Sequence, residues 1–151
     1  MKKILITGAN SYIGVSVARH LAQWPERYQV DTVDMVDGSW REKDFHGYDA
    51  VLHVAGLVHQ AGSKNDPGQA ERYDRVNHLL AVETARKAKR EGVSQFLFMS
   101  SASVYGLNAP VGKMVAITRD TPLNPTDNYG ISKKRAEESL TQLRDQQFRL
   151  A

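Results

Sequence analysis

The stretch that decides the fold is Lys3-Ile-Leu-Ile-Thr7-Gly8-Ala-Asn-Ser-Tyr-Ile-Gly14. Residues 3–7 form a short apolar run that ends at a glycine, the pattern of a buried strand. Ile13, Val17 and Leu21 then recur at a spacing of four, so residues 12–23 are predicted to form a helix with one apolar stripe, stopped before Pro25. A strand that runs through a glycine turn into a helix presents free N–H groups and a positive dipole end, which together favour a phosphate. In dinucleotide-binding folds the first glycine makes the tight turn, the middle one admits the pyrophosphate, and the last lets helix and strand pack closely. Gly8 and Gly14 have the first and last spacing of such a GxxGxxG pattern, and Ser11 stands at the middle. A side chain there either crowds the phosphate, caps the helix, or binds the phosphate through its hydroxyl.

Working outward, residues 28–34, 50–55 and 95–99 read as further strands, and 69–91 and 129–145 as helices. Tyr73, Val76, Leu80 and Ala88 mark the stripe of the first of these helices, and Gly92 suits its C-cap. Residues 106–128, rich in Gly and Pro, read as loop, and residues 147–151 as the start of one more strand. Strands alternating with helices predict an α/β, Rossmann-type, doubly wound and mainly parallel sheet with helices on both faces. Only about 14 residues lie between Asp34 and the strand at 50, too few for a full helix-plus-strand unit, so the third-strand region is expected to be abbreviated.

The 151 residues suit one domain. The net charge is only +3, and the basic clusters at 86–90 and 133–135 sit in predicted helices with acidic neighbours. They read as solvated faces, so no nucleic-acid partner is expected. No apolar run is long enough to cross a membrane, and the N-terminus reads as a strand and not a signal peptide. The absence of cysteine excludes disulfide and thiolate chemistry and fits a cytoplasmic location. His53 and His59 lack a completing ligand set, so no metal is expected. Trp24 and Trp40 read as packing residues, with adenine contact an alternative for Trp40.

Asp34 closes the second strand. An acid there accepts hydrogen bonds from the adenosine ribose and repels a 2′-phosphate, so NAD is expected ahead of NADP. Asp31 and Asp37 are nearby alternatives. Tyr129-Gly-Ile-Ser-Lys133 places a tyrosine and a lysine four apart, on one face of a helix. The ammonium lowers the tyrosine pKa and makes the phenolate available as a general base. Ser100-Ser-Ala-Ser-Val-Tyr-Gly106 follows the strand at 95–99, where α/β sites bind their ligands.

Five motifs now stand in order: Thr7-Gly8-Ala…Ile13-Gly14, His53-Val-Ala-Gly56, residues 76–86, residues 100–106 and residues 129–133. Together, and along the whole chain, they resemble the extended short-chain dehydrogenases/reductases, specifically the NAD-dependent epimerase/dehydratase group. The resemblance implies that Tyr129 is the acid/base, Lys133 its activator and a nicotinamide-ribose ligand, and Ser101 the donor to the substrate oxygen, ahead of Ser100 and Ser103. It implies a cofactor site of Gly8, Asn10, Ser11, Tyr12, Ile13, Gly14, Asp34, Ala55, Gly56, Asn77, Tyr129 and Lys133. Ser11 departs from the family's usual glycine. The function implied is an NAD-dependent nucleotide-sugar epimerase, or a related dehydratase or reductase. Ala102-Ser103, in place of the acidic pair usual in dehydratases, favours epimerase or reductase. The alternative is a non-catalytic dinucleotide-binding regulatory or scaffolding module.

Family members run to about twice this length. Residues 1–151 are therefore expected to be an N-terminal NAD(P)-binding Rossmann domain whose substrate-binding part lies elsewhere, inactive by itself. A homodimer through helices 69–91 and 129–145 is also implied, with Ile131, Leu140 and Leu143 buried between helices or subunits.

Overall fold

The computed structural model describes residues 1–58, 67–107 and 112–151. Five parallel strands form one sheet: β1 (Lys2–Thr7), β2 (Tyr28–Val33), β3 (Ala50–His53), β4 (Gln95–Phe98) and β5 (Arg149–Leu150), in the order β2-β1-β3-β4-β5. This is the doubly wound order with the strand beyond β2 left out. As the short spacing implies, only a single 3₁₀ turn at Ser39–Arg41 lies between β2 and β3. Parallel neighbours need crossovers, and among the described residues four helices supply them: α1 (Tyr12–Leu21), α2 (Pro67–Tyr73), α3 (Leu80–Arg90) and α4 (Asn128–Thr141). A π-helical turn, Asp74–Leu79, joins α2 to α3, so the expected helix over 69–91 is one rod with a widened middle.

The core lies on one face of the sheet. Leu5, Val51 and Phe96 pack there against Val82, Ala85 and Ala88 of α3, Leu140 of α4 and Phe148. Trp40 and Phe45 from the β2–β3 connection fill the same layer, so Trp40 is a packing residue. Phe45 is fixed twice: its N–H donates to Glu91 at 2.8 Å, and Lys87, paired with Glu91 at 2.6 Å, lies over its ring. α3 packs beside α4, and the π-helical turn that leads into α3 is tied to α4 by His78–Ser139 at 2.9 Å and Arg135–Asp74 at 3.1 Å. Leu140 is buried, while Ile131 and Leu143 are half-buried.

The opposite face carries α1, whose Val17 and Leu21 lie beside Ile4, Leu52 and Leu97. The stripe expected to bury α1 is covered only in part. Ile13 is exposed, Val17 and Leu21 are half-buried, and Gly14 is the one buried residue of the helix. The physical reason is that α1 is the only helix on this face among the described residues. Element ends also shift: β3 stops at His53, which frees Val54 and Ala55 as loop, and α4 ends at Thr141 and not at 145. No helix among the described residues is long and apolar enough to cross a membrane.

Candidate functional site

A cleft of about 410 Å³ opens at the C-terminal ends of β1, β2 and β3. Its walls include Gly8, Asn10, Ser11, Asp34, Ala55 and Gly56, six of the residues singled out in the sequence. Gly8 has φ of +86°, and a Cβ there would stand 3.0 Å from the Ala55 nitrogen, so both turn geometry and space demand glycine. Gly14 lies against the Gly8 carbonyl, where a Cβ would come within 2.8 Å. Ser11 needs no glycine conformation, at φ −74° and ψ 147°. It is the N-cap of α1, and its Oγ accepts from Gly14 N–H at 2.9 Å. Tyr12 and Ile13 open the helix with exposed side chains.

Of the three acids considered at the end of β2, only Asp34 lines the cleft. Asp31 accepts from the Tyr48 hydroxyl at 2.7 Å, and Asp37 is taken by Ser39, whose N–H and hydroxyl hold its carboxyl below the usual range.

The second half of the site is assembled from β4, α4 and the π-helical turn. Asn77 is wholly buried. Its Oδ1 accepts from Leu57 N–H at 2.7 Å, and its Nδ2 donates to Leu57 O and to Ser132 Oγ, each at 3.1 Å. Gly56 lies under this amide, for a Cβ there would meet Asn77 Oδ1 at 3.0 Å and Lys133 Nζ at 3.4 Å. Lys133 is 5% exposed. Its ammonium donates to Met99 O at 2.8 Å and stands 4.6 Å from the centre of the Phe98 ring. Burial pulls its pKa down to about 8, opposed by the charge of Glu137 one turn on.

Tyr129 lies in the first turn of α4, its ring edge-on to Tyr73 at 6.0 Å. Asp127 caps that helix by accepting from Gly130 N–H at 2.6 Å. Gly130 seats the helix on the serine loop: a Cβ would come within 2.5 Å of Ser103 O. In that loop Ser101 Oγ accepts from Ser103 N–H at 3.2 Å and starts a 3₁₀ turn, Ala102–Tyr105. Ser100 donates to Glu137, which sets it apart from Ser101.

Glu137, Ser132 and the Met99 carbonyl were not anticipated from sequence. The i,i+4 step from Lys133 pointed to Glu137, and Ser132 lies inside the quoted Tyr129–Lys133 motif; nothing in sequence marks the carbonyl. His53, considered from sequence only as a metal ligand and set aside, is buried beside Phe96 and Phe98 and shares a hydrogen bond with Thr7 at 2.8 Å; burial takes its pKa down to about 3. His59 lies outside the described residues. An Asp44–His46–Glu91 group lies away from the cleft, with Glu91 already paired to Lys87.

A glycine turn at a helix N-terminus, an acid after β2 and a buried lysine behind the cleft define a Rossmann-type nucleotide-binding domain. Residues 4–150 match the NAD dependent epimerase/dehydratase family, and the chain belongs to that family. It is 36% identical over 110 residues to a UDP-glucose 4-epimerase of Erwinia amylovora, covering 71% of this chain and 31% of the relative. It is 28% identical over 157 residues to the UDP-glucose 4-epimerase of Vibrio cholerae, covering 94% and 47%. A short-chain dehydrogenase/reductase superfamily protein of Agrobacterium tumefaciens, solved with bound NAD, superposes with a TM-score of 0.80 at 26% identity, covering 98% of this chain and 47% of that one. The chain thus spans about half or less of the length of these proteins.

Proposed function

We propose that this chain is the dinucleotide-binding part of an NAD-dependent nucleotide-sugar epimerase. The observation that carries the reading is the position of Lys133. Its buried ammonium lies behind Gly56, which lines the glycine-turn cleft, and Lys133 stands one helical turn from Tyr129. One group therefore serves both the nucleotide cleft and the acid/base residue.

The residues fit NAD. The cradle at Gly8 and Gly56 leaves no room for side chains, and the first-turn N–H groups of α1, including those of Tyr12 and Ile13, favour a pyrophosphate. Asp34 receives the adenosine ribose and disfavours NADP. Gly14 and Asn77 hold the turn and the Gly56 loop in shape, and Ala55 and Gly56 floor the cleft. NAD, when bound, supplies a hydride acceptor that can return the hydride.

At the sugar end, Ser101 donates a hydrogen bond to the reacting oxygen. Tyr129, acting as general base, takes the hydroxyl proton as the carbon beneath is oxidised to a ketone. Lys133, mostly protonated at neutral pH, binds the nicotinamide ribose. Tyr129 would give the proton back to the oxygen when the ketone is reduced from its opposite face, which would invert the carbon. Atoms and electrons balance, and no net oxidation results.

The partner is a nucleotide-sugar. By itself the chain binds NAD weakly and shows no turnover, which requires the sugar-binding part. The side-by-side pair of α3 and α4 forms a homodimer face, on which Leu79 is exposed. Calorimetry with NAD, turnover of UDP-sugars by the protein joined to its sugar-binding part, and sedimentation for the dimer test these statements. An absence of NAD binding overturns the reading.

A further inference from the structure

Asp34 is exposed, yet both of its oxygens are held. Val36 N–H donates to Oδ1 at 2.8 Å, and Asn10 Nδ2 donates to Oδ2 at 3.0 Å. The first bond is local. The second spans the cleft from the glycine turn to the end of β2. It is the outermost of three links across that seam, for Gly8 and Ala9 N–H both donate to Val33 O, at 2.9 and 3.3 Å.

We infer that Asn10 is a specificity-determining residue, which fixes the Asp34 carboxylate so that the site takes a ribose with a free 2′-hydroxyl and rejects a 2′-phosphate. The inference rests on the NAD reading above. A carboxylate has about four acceptor positions. With one used on each oxygen, the remaining pair accepts from vicinal hydroxyls. Held from both sides, the anion does not rotate away from a 2′-phosphate, which carries up to two negative charges of its own. Asn10 brings no positive charge to offset them. Arg41, on the loop that follows, is committed to Glu83 through two bonds of 2.5 and 2.6 Å. Among the described residues Asp34 forms no ion pair.

The test is calorimetric titration of the chain and its Asn10→Ala, Asn10→Lys and Asp34→Ala variants with NAD and with NADP, each variant first checked by circular dichroism. Asn10→Ala is expected to weaken NAD about fivefold while NADP stays within about twofold, the loss of one hydrogen bond to a charged group at an exposed position. Asn10→Lys is expected to strengthen NADP. If Asn10→Ala weakens both dinucleotides equally, Asn10 only shapes the turn and the inference fails. If Asp34→Ala narrows the preference and Asn10→Ala does not, the inference fails while the NAD reading stands. A parent chain that binds neither dinucleotide, or that shows no preference for NAD, overturns both.

Discussion

Asn77 and Leu57 hold each other from both ends of one amide: Leu57 N–H donates to Asn77 Oδ1 at 2.7 Å, and Asn77 Nδ2 donates to Leu57 O at 3.1 Å. The ring they close pins the loop after β3 against the π-helical turn, over Gly56. A widened turn places one more residue per coil than an α-helix does, and such turns recur at functional sites. Here the widening brings Asn77 inward while Ser132 of α4 braces it. Asn77→Ala leaves the half-buried Leu57 N–H without its acceptor and empties a wholly buried amide site, and is expected to cost about 1–3 kcal/mol, read as a shift in the urea midpoint at constant slope. NAD affinity should fall with it, since Gly56 floors the cleft. Unchanged stability would show that the loop does not depend on this amide.

Of two left-handed glycines outside the cleft, Gly106 is crowded against the segment that leads into α4 and Gly92 is not. Gly106 has φ of +62°, and a Cβ there would stand 1.9 Å from Asn124 O, a backbone atom that cannot step aside. Gly92 has φ of +82° with nothing within 4 Å. Gly92→Ala is expected to cost only the backbone strain, about 1 kcal/mol. Gly106→Ala should cost several times more, or displace the loop and with it Tyr129. Comparative thermal melts separate the two, and equal losses would contradict the crowding argument.

Burial of neutral His53 makes stability depend on pH. Its folded pKa of about 3 lies below the ordinary 6.5. Below pH 6.5 the unfolded chain therefore binds a proton that the folded chain refuses. Stability is full above pH 6.5 and is lost as pH falls toward 3. Between pH 7 and 5 the loss is about 2 kcal/mol. The paired carboxylates of Asp49, Asp74 and Glu91, all held below their ordinary range, add to it only at lower pH. Chemical denaturation of the parent and His53→Gln at pH 7 and pH 5 checks this. The variant's stability should be flat over that interval, and a parallel fall in both would assign the effect elsewhere.

How much of this was legible in sequence follows from how local each cause is. The strands showed because a strand of a parallel sheet, covered on both sides, is an apolar run bounded by turn residues. The 151-residue chain announced its missing third strand through spacing alone. Gly8 and Asp34 were legible because one needs a positive φ at a strand end and the other falls where β2 stops. The π-helical turn was not legible, for no residue from Asp74 to Leu79 breaks a helix. The two-sided role of Ser11 was resolved only by geometry, which gives its oxygen to Gly14 N–H. The stripe of α1 misled, since its period reports a helix but not whether anything covers it. Glu137 and Met99 O act on Lys133 and Ser100 through contacts that join α4 to the end of β4, and pairings between elements are what single-sequence periodicity does not contain.

The final prediction concerns Tyr129. Its hydroxyl is the proposed proton carrier, and the dinucleotide contacts proposed for Lys133 and Asp34 do not involve it. In the protein joined to its sugar-binding part, Tyr129→Phe should therefore lower kcat by about 10²–10⁴-fold, the range for losing general acid/base catalysis, with NAD affinity nearly unchanged. Lys133→Met should damage both, because the ammonium stands behind Gly56 at the cleft, one helical turn from Tyr129. The two variants also part in stability. The Lys133 pKa is depressed by burial from 10.5 to about 8, so the charged form costs folding energy below pH 8, and that cost fades between pH 8 and 10.5. Lys133→Met should gain stability relative to the parent at pH 7 and lose that advantage by pH 10.5, offset in part by the Met99 carbonyl left without its donor. Ser101→Ala should reduce turnover less than Tyr129→Phe, since it removes one hydrogen bond to the reacting oxygen and no proton carrier. Steady-state kinetics with parallel NAD titrations read all three. Normal turnover by Tyr129→Phe would remove the tyrosine from the chemistry and with it the epimerase mechanism built on it.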